Sequence, residues 1–141
     1  CPAEIYNQGE LGSCTANAIA AAIEYDELKQ QLANPATPSR LFIYYNERAM
    51  EGTVREDAGA MIRDGIKSIA RQGACPEALW PYDIAKFARK RPAIAFREAE
   101  KHQALSYQRL VQTLNQLKGC LASGYPFVFG FSVYESFVQL A

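Results

Sequence analysis

Apolar positions recur with a helical period through the first half of the chain. The first such segment starts at Cys14, directly after Ser13, a residue type that caps helices well. Apolar side chains occupy most of its faces, on one stripe formed by Ala16, Ile19, Ala20 and Ile23 and on another formed by Ala18, Ala22 and Tyr25. A helix that is apolar on most faces is buried. We therefore expect this helix to be the central helix of the domain and to end near Ala33.

Two further helices are predicted in the same half. Ser39 follows a proline-rich break and can cap a helix that runs from Arg40 to about Met50, with core-facing side chains at Leu41, Phe42 and Tyr45. Gly73 closes a third helix, which is marked by Met61, Ile62, Ile66 and Ile69. The segment 75–82 is rich in proline and aromatic residues and predicts an ordered loop.

The pattern changes near residue 104. Residues 105–111 predict a strand, residues 112–123 carry leucines at helical spacing before a glycine, and residues 127–133 form a strongly apolar strand of the buried type. This strand–helix–strand order indicates a second unit. We expect a helical domain over residues 1–103 and the beginning of another domain over residues 104–141.

Composition and charge exclude several classes of protein. The chain has 141 residues, of which 49% are apolar and 21% charged, as in a folded globular protein. Fifteen basic residues balance fifteen acidic ones, so no overall field attracts nucleic acid or an anionic membrane, and no apolar run is long enough to span a bilayer. The one basic concentration, between Lys86 and Lys101, is interpreted as a solvated surface.

The four cysteines are Cys1, Cys14, Cys75 and Cys120, at wide spacings with no C-x-x-C pair. This spacing is unsuited to a zinc site, so no metal is expected. Cys75 and Cys120 are expected to be small buried apolar side chains. A single bridge from Cys1 stays open as an alternative.

The stretch from Gln8 to Cys14 carries the candidate chemistry. Cys14 sits where the first helix begins, and unpaired N–H groups at a helix start favour a thiolate over a thiol. Gln8, six residues upstream, has a side-chain amide that can donate a hydrogen bond beside the sulfur. Together these two residues predict a nucleophile and half of an oxyanion hole.

The Gly12-Ser13-Cys14 step resembles the nucleophile signature of the papain-like (C1) cysteine peptidases, with Leu11 and Thr15 replacing a cysteine and a tryptophan. Two more blocks resemble that family: the run 56–59 followed by the aromatic loop at 80–82, and the segment 125–137. The family's disulfide partners would fall at Leu11 and Glu56. Both cysteines are absent, which is typical of a bacterial or archaeal member that folds without this bridge.

The resemblance implies an α+β papain-like fold, with a helical left domain around the nucleophile helix and the first part of a right antiparallel β-barrel domain. It implies a cysteine peptidase that hydrolyses peptide bonds in peptide or protein substrates without a cofactor. Position by position, it makes Cys14 the nucleophile and Gln8, with the Cys14 N–H, the oxyanion hole. Gly59 would pair with the substrate backbone, while Met61 and Gly130 would form walls of a substrate pocket.

The family's general base is a histidine about 130 to 150 residues beyond the cysteine. The chain's single histidine is His102, which is interpreted as a solvated residue rather than the base. Both ends of the sequence read as cut, so the 141-residue piece is expected to be inactive by itself. Two alternatives stay open: a papain-like module that binds peptides without catalysis, and a Cys-His amidase or transpeptidase.

Two expectations concern the surroundings of the protein. The apolar strand at 127–133 lacks partner strands in this chain, so self-association through its edge is predicted. The small number of cysteines and the loss of the family disulfide favour a cytoplasmic over a secreted protein, without deciding the compartment.

Overall fold

The computed structural model describes residues 5–32 and 36–139. Within these ranges the regular structure is helical, and the β-type pairing is an isolated bridge between Pro38 and Pro76. The elements are α1 (Cys14–Lys29), α2 (Arg40–Glu51), α3 (Ile62–Gln72), a 3-10 turn (Ile84–Lys86), α4 (Ala93–Ala99), α5 (Leu114–Ala122) and α6 (Glu135–Val138).

Within the described residues the most buried helix is α2, with Leu41, Phe42, Ile43 and Tyr44 fully buried, rather than α1 as the apolar pattern predicts. Helix α1 packs against α2 and α3, which also pack against each other. Its small residues Ala16 and Ala20 are fully buried, so the neighbouring helices can approach closely. The main core cluster joins the three helices with the loops before α1 and after α3, through Leu11, Ala16, Ile19, Ala20, Leu41, Ile43, Tyr44, Ile69 and Ala74.

The ends of α2 and α3 confirm the capping signals of the sequence. The Ser39 hydroxyl accepts the Phe42 N–H at 3.2 Å, which satisfies one free donor of the first turn of α2. Helix α3 stops at Gly73, whose φ of 74° lies in a region that favours glycine. Cys75, which follows, is fully buried as predicted, and burial raises the pKa of its thiol to about 11. The same prediction is wrong for Cys120, which is only partly buried.

Two expectations for α1 are wrong in detail. The helix ends at Lys29, four residues before Ala33, because Gln31 turns to a positive φ of 54°. Ser13 occupies the capping position, but its hydroxyl does not cap the helix. That hydroxyl bonds to other side chains. Ala33 itself and the bridge considered for Cys1 lie outside the described residues.

The interpretation of the segment from Lys86 to Lys101 as solvated is wrong for Arg91. This side chain is 3% exposed, donates to the Leu41 carbonyl oxygen at 3.0 Å and stacks over the Trp80 ring at 3.9 Å. Burial lowers the pKa of its guanidinium to about 10. Arg91 therefore links the chain before α4 to α2 from inside the protein.

The two strands predicted at 105–111 and 127–133 are not formed as paired strands within the described residues. An alternating pattern describes where side chains point, whereas a strand also needs a neighbour to bond with its N–H and C=O groups. The intervening helix agrees with its prediction, as α5. In the second segment the rings of Phe127, Phe129 and Phe131 follow one another at 5.8 and 5.9 Å.

Candidate active site

Cys14 is the first residue of α1, and it is exposed. No side chain caps the start of this helix, and its first turn contains no acidic residue. The first N–H groups of an α-helix have no partner within the helix. An exposed thiol therefore stands beside main-chain donors that an anionic group can use.

Hydrogen bonds divert the Ser13 hydroxyl away from the helix start. The Asn17 side-chain N–H donates to the Ser13 Oγ at 3.0 Å, and the Tyr82 hydroxyl lies 2.6 Å from the same atom. Tyr82 donates its own proton to the Gln8 carbonyl oxygen at 2.9 Å, so Ser13 must be the donor toward Tyr82. This chain of bonds ties the loop before Cys14 to the loop that carries Tyr82.

Gln8 lies in the loop before the thiol, as the sequence predicts. Its Nε2 donates to the Leu11 carbonyl oxygen at 3.1 Å. A side-chain amide has two N–H donors, so one N–H remains for a further acceptor while the other holds the group in place. The Leu11 carbonyl also accepts the Ser13 N–H at 2.7 Å, which makes a tight turn ahead of Cys14.

The structure brings Gly59 beside the loop before Cys14. The Gly12 N–H donates to both carboxylate oxygens of Asp57 at 3.0 Å. A Cβ on Gly59 would lie 3.7 Å from the Gly12 carbonyl oxygen, so the two backbones are close neighbours. The Gly59 N–H donates to the Tyr44 hydroxyl at 3.2 Å.

Met61 directly precedes Ile62 in the chain, and Gly130 approaches the Ile62 side chain. Met61 precedes α3 and is 65% exposed, and its N–H donates to Glu51 at 2.8 Å. A Cβ on Gly130 would lie 3.7 Å from the Ile62 Cδ1. Residues from the helical region and from the later segment are thus near neighbours. Their predicted part in a substrate pocket remains a prediction.

Arg40 is a supporting residue that the sequence pattern does not reveal. Its guanidinium bonds to Glu77 at 2.9 and 2.5 Å and lies over the rings of Tyr6 and Tyr82 at 4.7 and 4.2 Å. The hydrogen bonds with Glu77 raise the pKa of Arg40. Arg40 thereby supports Tyr82, which in turn holds the loop before Cys14. No local motif predicts a contact between positions 37 residues apart.

His102 lies away from the thiol. Its Nδ1 is 3.2 Å from the Glu27 Oε1, and its side chain is 31% exposed, so it is half-buried rather than fully solvated as expected. Glu27 is 13 residues beyond Cys14 on α1, which at 1.5 Å per residue places it about 20 Å along the helix axis. The chain's single histidine is therefore out of reach of Cys14.

The described residues contain no group of three or more His, Cys, Asp or Glu side chains that could hold a metal ion. Within the same part of the chain, no helix is long and apolar enough to cross a membrane.

The arrangement around Cys14 combines an exposed thiol, main-chain donors and a side-chain amide. These are the components of nucleophilic acyl chemistry.

The chain is similar to proteins of this chemical class. It is 49% identical over 141 residues to an uncharacterized peptidase C1-like protein of Acanthamoeba polyphaga mimivirus, an alignment that covers 94% of this chain and 45% of that protein. Its structure matches xylellain, a cysteine protease from Xylella fastidiosa, with a TM-score of 0.93 and 45% sequence identity. The match covers 99% of this chain and 57% of xylellain.

These two similarities support the resemblance to the papain-like (C1) cysteine peptidases. No protein-family model matches it. The relationship confirms the predicted fold class, and the described helices correspond to the helical left domain of a papain-like protease. The chain spans about half the length of the relatives it matches.

Proposed function

We propose that this chain carries the nucleophile half of a cysteine peptidase, with Cys14 as the attacking residue. The observation that supports this most directly is the exposed Cys14 thiol at a helix start that no side chain caps. A structural cysteine would be expected in the interior, as Cys75 is. The protease named among the similar structures supports the same reaction class.

In the proposed reaction the Cys14 thiolate attacks the carbonyl carbon of a peptide bond. The oxygen that becomes negative accepts hydrogen bonds from the Cys14 N–H and from the free side-chain N–H of Gln8. The tetrahedral intermediate then expels the amine, which must gain a proton, and leaves a thioester on Cys14. Water hydrolyses this thioester, which releases the acid and restores the thiol.

A substrate bound at Cys14 would also contact Gly59, Met61 and Gly130. Gly59 adjoins Gly12 and so lies beside the loop before Cys14. Its N–H is bonded to the Tyr44 hydroxyl, so its carbonyl oxygen is the group that would pair with an extended peptide. The exposed Met61 side chain offers an apolar surface for one substrate side chain. Peptides or proteins are the proposed substrates, with no nucleic acid and no membrane partner.

We also infer that residues 104–141 begin a second domain next to the helical one over 1–103. Among the described residues, the buried core residues all lie between Leu11 and Ala99. The later segment touches this core through Val128 and touches α1 through Lys29, whose Nζ donates to the Gly124 carbonyl at 2.5 Å. A segment with few buried residues of its own is typical of part of a domain.

The distance between Cys14 and His102 sets a sharp expectation for the isolated chain. Without a nearby acid the leaving amine cannot be protonated efficiently, so the 141-residue chain should bind and react with electrophiles but not turn substrate over. For this chain alone, the distance between Cys14 and His102 also favours the alternative of a papain-like module that binds peptides without catalysis. A Cys-His amidase or transpeptidase would use the same thiol with another acyl group.

A fluorogenic dipeptidyl substrate tests the proposal. The expected result is no steady turnover by the 141-residue chain, and turnover by a full-length protein that contains it, lost on Cys14→Ala. Gln8→Ala should lower kcat about 100-fold with little change in KM, because an oxyanion donor acts in the transition state. Turnover that survives Cys14→Ala would overturn the proposal, and turnover of amide but not peptide substrates would favour the amidase alternative.

A further inference from the structure

Asp57 joins two parts of the candidate site that are far apart in sequence. Its carboxylate accepts the Gly12 N–H through both oxygens at 3.0 Å, across 45 residues. The Tyr44 hydroxyl donates to the same carboxylate at 2.5 Å. Since the Gly59 N–H donates to this hydroxyl at 3.2 Å, one pair of side chains contacts both Gly12 and Gly59.

Gly12, Asp57 and Gly59 are closely packed. A Cβ on Gly12 would lie 3.1 Å from the Asp57 Oδ1 and 3.6 Å from the Gly59 nitrogen. Gly59 itself has a φ of 72°, which side chains rarely adopt. The two loops therefore meet backbone to backbone, and the carboxylate fills the remaining polar contact between them.

Helix α2 supplies the fixed base for this contact. Tyr44 is fully buried on α2, and burial raises its pKa, so its hydroxyl keeps the proton that it donates. The Arg48 guanidinium stacks on the Tyr44 ring at 3.8 Å and donates to the Glu56 carbonyl oxygen at 2.9 Å. Both residues hold the chain on either side of Asp57, so the position of its carboxylate is set by a rigid helix.

We propose that Asp57, oriented by Tyr44, is a positioning residue that fixes the loop before Cys14 relative to Gly59. The contribution of Asp57 to catalysis rests on the proposed function. The bond joins Gly12 and Asp57, which directly follow Leu11 and Glu56, the two positions where the family would place its disulfide partners. A charged hydrogen bond in this place holds the loops together without an oxidised cysteine pair, in any redox environment.

The first test uses the 141-residue chain and needs no activity. Amide hydrogen exchange at Gly12 and Gly59 and the rate of Cys14 alkylation by iodoacetamide, assigned by peptide mass mapping, are compared for wild type, Asp57→Ala and Tyr44→Phe. The control is Gln103→Ala, which removes a side-chain bond to the Arg71 carbonyl, also between distant residues, at the far end of α3.

Asp57→Ala should speed exchange at Gly12 about tenfold more than the control does, and Tyr44→Phe should speed exchange at both glycines. Asp57→Asn keeps one acceptor oxygen and should restore part of the protection at Gly12. Cys14 alkylation should change in Asp57→Ala and stay unchanged in Gln103→Ala. Equal exchange and equal alkylation in Asp57→Ala and the control would overturn the inference.

The second test separates this inference from the proposed function. In a full-length protein that contains the chain, Asp57→Ala should lower kcat at least about tenfold with a smaller change in KM, since it misplaces reacting groups. A wild-type protein without peptidase activity would defeat the proposed function and leave the exchange test valid. An active wild type with fast Gly12 exchange but unchanged kcat in Asp57→Ala would overturn the positioning role alone.

Discussion

The hydroxyl of Tyr82 donates a hydrogen bond of 2.9 Å to the main-chain oxygen of Gln8. The same hydroxyl accepts the proton of Ser13 at 2.6 Å, so one oxygen on a distant loop contacts both sides of the turn ahead of Cys14. Arg40 lies over the Tyr82 ring at 4.2 Å and is itself held by Glu77. The position of the thiol therefore depends on residues that are distant from Cys14 in sequence.

Replacing Tyr82 by phenylalanine should destabilise the chain by about 1–2 kcal/mol, because it removes a half-buried hydroxyl and leaves the Gln8 carbonyl and the Ser13 hydroxyl without that partner. Urea unfolding followed by circular dichroism measures the change. The matched control is Tyr107→Phe, at a tyrosine that is 52% exposed, which should change stability by less than about 0.5 kcal/mol. Equal effects of the two variants would contradict the structural role of the Tyr82 hydroxyl.

Arg40→Lys should not replace arginine, although it keeps the charge. A lysine cannot form the paired hydrogen bonds to Glu77, and it lacks the planar guanidinium that lies over the rings of Tyr6 and Tyr82. A loss of about 1–3 kcal/mol is expected in the free energy of unfolding. A double-mutant cycle with Glu77→Ala measures the coupling, and the exposed pair of Lys101 and Glu98 serves as a control that should couple by less than about 1 kcal/mol.

The elements that the sequence predicted well carry local signals. Ser39 and Gly73 mark helix ends through their own backbone and side-chain chemistry, so α2 and α3 were predicted to within a residue or two. Arg91 could not be predicted as buried, because its partners Trp80 and Leu41 are brought to it by the tertiary fold. Its charge alone favours the surface.

The candidate site shows the same division. The position of Cys14 at a helix start is predictable because it depends on local sequence, and the structure exposes the thiol there. The bonds of Tyr82 and Asp57 to the loop span 74 and 45 residues, and no spacing rule predicts them. The roles of Cys14, Gln8, Gly59, Met61 and Gly130 remain predictions, since they concern a bound substrate.

Glu47 should make stability depend on pH. Its carboxyl is fully buried and accepts a hydrogen bond from the Thr15 hydroxyl at 2.8 Å, while its other oxygen has no hydrogen-bond partner among the described residues. Burial raises the pKa of Glu47 from 4.5 to about 8. The folded state thus holds a proton that the unfolded state releases, so this contribution to stability is complete below pH 4.5 and is lost as pH rises through about 8.

Glu47→Gln removes this titration. As the pH rises from 5 to 9, the free energy of unfolding of the variant should increase relative to that of wild type by an amount on the order of a few kcal/mol. Urea unfolding of both proteins across that range gives the difference at each pH, so titrations that the two proteins share cancel. A difference that does not vary with pH would show that Glu47 keeps the same protonation state in the folded and unfolded chains.

Gly73→Ala should be far more damaging than Gly52→Ala, although both glycines have a positive φ, of 74° and 77°. A Cβ on Gly73 would overlap the Ala99 carbonyl group and lie 2.9 Å from the His102 carbonyl oxygen, whereas one on Gly52 meets nothing within 4 Å. We expect losses of about 3 kcal/mol or more and about 1 kcal/mol, respectively. Thermal unfolding of the two variants checks the order, and similar losses would contradict the close approach at Gly73.

The aromatic side chains of residues 127–137 should make the 141-residue chain associate with itself. Phe129, Phe131 and Phe137 are 64%, 61% and 56% exposed, and their rings contact one another in sequence at 5.9 and 5.8 Å. A continuous apolar surface of this kind, on a segment whose backbone pairs with no strand in the described structure, favours contact with another chain.

Light scattering should give a mass above 15.7 kDa at high concentration. The double variant Phe129→Lys, Phe131→Lys should return it to the monomer, while Tyr107→Lys should not. A wild-type monomer at every concentration would refute association through this surface.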